Sequence, residues 1–97
     1  MTGTSRSSDG LDERRRRLLF RSWHRGIREM DLIMGRFADV HLAGLSDDEL
    51  GDYEKLIEVP DPELFSWVTG AAAARPGYDS GLLRRLRDFH LGTSDKT

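Results

Sequence analysis

Apolar residues recur at three- and four-residue intervals in five stretches of this chain, and glycine, proline or a capping side chain marks most of their ends. Such spacing places them on one face of an α-helix. The first stretch puts Leu11, Leu18, Leu19, Ser22 and Trp23 on one side and predicts a helix from Leu11 to His24, stopped near Gly26; Asp12 and Glu13 fall in its first turn, where acids complement the helix dipole. The second begins around Glu29 to Asp31 and carries Met30, Ile33, Met34, Phe37, Val40 and His41 as the most regular stripe in the sequence, closed by Gly44. Gly35, inside this stripe, implies the close approach of another backbone.

The third stretch has the clearest start. Ser46 is placed as N-cap with Glu49 three residues on, Leu45 and Leu50 are placed as a hydrophobic staple, and Leu50, Tyr53, Leu56 and Ile57 point inward until Val59-Pro60 ends the helix. Asp61 is expected to cap a fourth helix with Pro62 at its first position and Leu64, Trp67 and Val68 buried. Gly70, Ala71 to Ala74 and Arg75-Pro76-Gly77 read as a fraying end and a linker. Ser80 then caps a fifth helix, with Leu82, Leu83, Leu86, Phe89 and His90 on one face, ended by Gly92. Nothing alternates with the period of two that a strand needs. The expectation is an all-α fold, a small five-helix bundle over residues 11–92, with a disordered N-terminal tail over 1–10 and a polar C-terminal tail over 93–97.

Composition narrows this picture. Ninety-seven residues suffice for one core, burying roughly 60 to 65% of the unfolded surface. There is no cysteine, which excludes disulfides, thiolate metal sites and a cysteine nucleophile. The absence of a spanning apolar run or a signal-type N-terminus gives the expectation of a soluble, cytoplasmic protein.

Charge is polarised although the net value is only -2. From Asp12 to Glu29 seven arginines face three acids, and from Met30 to Glu63 two bases face ten acids. An oriented protein partner fits this division at least as well as a nucleic acid does. An arginine-rich module, with Arg14, Arg15, Arg16, Arg17, Arg21 and Trp23 meeting phosphates, is the alternative; the acidic helices that follow weigh against it.

The candidates for chemistry are few. His24, His41 and His90 lack ligand spacing, and the acids Asp47, Asp48, Glu49 and Asp52 are explained by helix capping without a calcium loop. No nucleophile elbow or phosphate cradle is present, so the expectation is no catalytic residue, no metal and no enzyme. What stands out is the hinge Arg25-Gly26-Ile27-Arg28-Glu29, where glycine permits positive φ at a sharp bend and the charges point toward solvent. Two readings fit those residues, a helix terminator with solvating charges or a docking site.

Three segments carry a family resemblance: Arg25-Gly26-Ile27-Arg28-Glu29-Met30-Asp31, Leu45-Ser46-Asp47-Asp48-Glu49, and Asp61-Pro62-Glu63-Leu64-Phe65-Ser66-Trp67. In this order and spacing the chain resembles the succinate dehydrogenase assembly factors, the small flavinylation factors, over roughly Leu11 to Leu91. The resemblance implies a five-helix bundle that binds the flavoprotein subunit of succinate dehydrogenase, and in bacteria that of fumarate reductase. It also implies that the chain promotes covalent attachment of FAD there and holds no cofactor stably itself. Arg25, Gly26 and Glu29 match the family signature, and with Arg28 they are the expected partner-binding residues.

Overall fold

The computed structural model describes residues 10–95 of the chain; apart from Gly10, the expected N-terminal tail lies outside the described residues, as do Lys96 and Thr97. Five α-helices follow one another: α1 (Glu13–Ser22), α2 (Arg28–His41), α3 (Asp47–Ile57), α4 (Asp61–Val68) and α5 (Gly81–Asp95), with a 3-10 turn (Leu42–Gly44) after α2. Among the described residues there is no strand, and no helix is long and apolar enough to cross a membrane. The predicted all-α bundle is the fold observed.

α2 lies against α1 and α5, while α3 packs on both α1 and α5. Met30, Met34, Phe37, Ala38 and Leu42 from α2 and its 3-10 turn are fully buried, together with Tyr53 from α3, Leu64 and Val68 from α4, and Leu83 and Leu86 from α5. Tyr53 brings a hydroxyl into this core, where it meets the Ser22 hydroxyl and donates to the Met34 carbonyl at 3.4 Å. Burial pushes the Tyr53 phenol well above its ordinary value, so it stays neutral and keeps that bond.

The capping box at α3 is formed as its spacing predicts: the Glu49 amide donates to Ser46 Oγ at 3.2 Å, and the Ser46 amide donates to Glu49 Oε1 at 2.8 Å. Ser46→Ala should lower stability by about 1 kcal/mol, read as an earlier urea midpoint with unchanged slope.

Several expectations shift. α1 begins at Glu13, because Asp12 is its cap, and stops at Ser22 with Trp23 as C-cap; Leu11 is buried but precedes the helix. Val40, expected inside, is 63% exposed, because it lies at the edge of the α2 stripe beyond reach of the neighbouring helices. Asp61 does not cap α4: Pro60 holds the cap position without a side-chain bond, and the Asp61 carboxylate is engaged elsewhere. α4 ends at Val68 and leaves Ala71 to Ala74 outside the helix, as the reading of a linker there expects. α5 starts as expected, with Ser80 Oγ accepting from the Leu83 amide at 3.1 Å, but runs through Gly92 to Asp95. A single glycine costs a helix only about 1 kcal/mol and does not by itself end one.

Gly35 is explained by a side chain rather than by a backbone. The Trp23 indole lies flat against the Gly35 backbone, and a Cβ there would stand 2.3 Å from two of its ring carbons. The indole Nε1 donates to Asp39 at 3.2 Å, which fixes the ring over α2. The C-terminal end of α1 is thereby anchored, and with it the start of the following loop.

Candidate functional site

The loop from His24 to Ile27 turns the chain from α1 into α2 at Gly26, whose φ of +118° lies in the region that L side chains rarely adopt. Space does not demand glycine here, since a Cβ would come no nearer than 3.8 Å to Asp61 Oδ2. The backbone conformation does.

Arg25 turns inward, contrary to the expectation that its charge meets solvent or a partner. Its Nε donates to Asp61 Oδ1 at 2.8 Å, and its other nitrogens donate to the Ile57 carbonyl and, at 2.7 Å, to the Val59 carbonyl. Only 8% of its side chain is exposed. Carbonyls at the end of a helix lack intrahelical donors, and a guanidinium with five N–H groups can serve two of them and a carboxylate together. The Arg25 amide also donates to Asp31 Oδ1 in the first turn of α2. The loop is thus tied at one residue to α2 and to the α3–α4 junction.

Gly26, Arg28 and Glu29 stay exposed, as expected, with Ile27 between them also largely exposed. Arg28 and Glu29 have no ion pair or side-chain hydrogen bond among the described residues. The hinge therefore divides by function: Arg25 fixes the loop, and the next residues present it.

The arginines of the run find partners within the chain, although Arg16, Arg17 and Arg21 stay exposed. Arg14 pairs with Glu54 at 2.7 Å and holds that carboxyl below its ordinary range, while Arg21 pairs with Glu58 at 2.9 Å. Arg15 donates to the carbonyls of Leu42 and Leu45 and pairs with Asp12. Arg16 reaches the Leu11 carbonyl, and Arg17 pairs with Glu13. These side chains clamp α1 to its own start, to the 3-10 turn and to α3. The signal in the sequence was the acid pair Glu54, in the last turns of α3, and Glu58, its C-cap, opposite Arg14 and Arg21, seven apart on α1.

The family model described as the flavinator of succinate dehydrogenase matches residues 16–90 of this chain. The chain belongs to that family. Within it, the chain is 39% identical over 80 residues to the FAD assembly factor SdhE of Acetobacter pasteurianus, covering 82% of this chain and 73% of that protein. It is 42% identical over 64 residues to the mitochondrial succinate dehydrogenase assembly factor 2 of Debaryomyces hansenii, covering 66% of this chain and 45% of the relative. With the corresponding Dictyostelium discoideum protein the identity is 32% over 77 residues, 79% of this chain and 55% of the relative. The chain thus spans about half the length of these mitochondrial members of the flavinator family. No solved structure matches it. The matched region contains the whole Gly26 loop and every ion pair that holds it.

Proposed function

We propose that this chain is a cytoplasmic assembly factor that binds the flavoprotein subunit of succinate dehydrogenase, and also that of fumarate reductase, and promotes covalent attachment of FAD to that subunit. The observation that carries the proposal is the Gly26 loop: a positive-φ glycine on an exposed bend, bonded from behind by Arg25, with Arg28 and Glu29 exposed and without partners among the described residues. Membership of the flavinator family supplies the partner.

The chain brings no flavin chemistry of its own to this role. It has no cysteine, and its mode of action is positional: it holds the flavoprotein so that FAD and the accepting side chain lie in reacting geometry. FAD stays with the flavoprotein throughout. Glu29 accepts from a donor on the partner, Arg28 donates to a partner carboxylate or carbonyl, and Gly26, lacking a side chain, lets the partner approach the bend. Arg25 contributes by holding the loop in place. Nothing favours the nucleic-acid alternative, and Arg14, Arg15, Arg17 and Arg21 already face acids of this chain.

Deleting the gene should abolish the in-gel ultraviolet fluorescence of covalent flavin on the succinate dehydrogenase flavoprotein, and the unaltered chain should restore it. Glu29→Ala should restore it poorly and bind the purified flavoprotein about tenfold more weakly, with an unchanged melting curve. Full fluorescence in the deletion strain would refute the role; an unchanged binding isotherm for Glu29→Ala would remove that residue from the interface.

A further inference from the structure

Every arginine among the described residues except Arg28 and Arg36 makes a hydrogen bond or ion pair within the chain. Both exceptions stand on α2, and both are exposed. At 100° per residue, Arg28, Glu29, Arg36 and Val40 fall within an arc of about 120° on that helix, along about 18 Å of its length. This arc points away from the face that buries Met30, Met34 and Phe37. Val40 brings to it one of the most exposed apolar side chains of the described residues. Leu32, half-buried, and Asp39, bonded to the Trp23 indole, lie between the exposed positions.

A fold that bonds its other described arginines leaves these two without a hydrogen bond or ion pair among the described residues, beside an exposed valine and on a stripe that begins at the docking loop. We propose that the docking surface continues from the Gly26 loop down α2 through Arg36 and Val40, and that this stripe receives an acidic ridge of the same flavoprotein. The proposal rests on the function proposed above and extends its interface. Its chemistry is that of an ordinary protein contact: Arg28 and Arg36 each meet a partner carboxylate, and Val40 packs against an apolar side chain set between them. Arg36 is held by no bond among the described residues, so pairing it with the partner breaks none of the contacts of the bundle described above.

The test measures binding of the purified chain to the isolated flavoprotein subunit of succinate dehydrogenase by calorimetry at low and at physiological salt. Arg36→Glu should weaken binding about tenfold and flatten the salt dependence of the affinity, and Val40→Asp should weaken it by a similar factor. Both variants should keep the helicity and melting temperature of the parent, because neither side chain supports the core. If both bind like the parent while Glu29→Ala is weakened, the interface ends at the loop; the stripe is then overturned and the proposed function stands. If the unaltered chain does not bind at all, the proposed function falls and the stripe falls with it. If sedimentation equilibrium instead reveals a dimer that Arg36→Glu dissolves without changing flavoprotein affinity, the stripe belongs to a second copy of this chain and the proposal is overturned.

Discussion

Replacing Arg25 with methionine should lower the stability of the folded chain by about 3 kcal/mol, a drop of roughly 15 °C in melting temperature for a domain of this size. The stem keeps its volume, so the loss is one of polar bonding alone. Asp61, whose side chain is 14% exposed, is left as a charge without its cation, and the carbonyls of Ile57 and Val59 lose their donor. Removing one partner of a buried pair costs far more than the pair's net contribution, because the survivor remains desolvated. Lysine does not rescue the site, since a single ammonium cannot span a carboxylate and two carbonyls as the guanidinium fork does. Thermal and urea melts followed by circular dichroism measure the effect. A loss below about 1 kcal/mol would mean that the strap is not formed in solution. A double-mutant cycle with Asp61→Asn isolates the ion pair from the two carbonyl bonds.

Gly35→Ala should destabilise the chain by roughly 2 to 3 kcal/mol, a change of sign from the ordinary gain when glycine becomes alanine inside a helix. The added methyl would stand 2.3 Å from the Trp23 ring, so either the indole lifts off α2 and loses its bond to Asp39, or the two helices separate. The Cβ has no flexible tip to push aside, only the middle of an aromatic plane. In a Trp23→Leu background the same substitution should cost much less, because the plane is gone. Chemical denaturation of the two single variants and the double variant reads out the coupling. Stabilisation by Gly35→Ala in the parent chain would contradict the packing described for Trp23.

These two positions also show what the sequence made legible and what it did not. Periodicity and caps located five helices and the Ser46 box, because those signals are local: a stripe, a capping side chain and a proline lie within a few residues of one another. The positive φ at Gly26 was readable for the same reason. The direction of the Arg25 side chain was not, since its partners lie 32 to 36 residues away, and a long cationic side chain beside a bend can reach either solvent or a helix end. Local spacing points to Asp61 as a cap, but Pro60 holds that position and a distant arginine claims the Asp61 carboxylate. Gly35 announced a close approach without saying what approaches. Val40 fits the helical stripe and is exposed because the neighbouring helices do not extend over that edge. At the candidate site, the exposed positions of Gly26, Arg28 and Glu29 were readable from the hinge, whereas the division of labour between Arg25 and its neighbours needed three dimensions.

The Arg25 strap has a further consequence, for the order in which the bundle assembles. The strap joins α4 to a loop 36 residues earlier in the chain, so closing it carries the entropy cost of the intervening chain, and the expectation is that it forms late in folding. A contact made that late contributes to the barrier for leaving the native state and hardly to the barrier for reaching it. Arg25→Met should therefore leave the refolding rate almost unchanged and place nearly all of its effect in faster unfolding, so that the strap acts chiefly as a brake on the opening of the bundle.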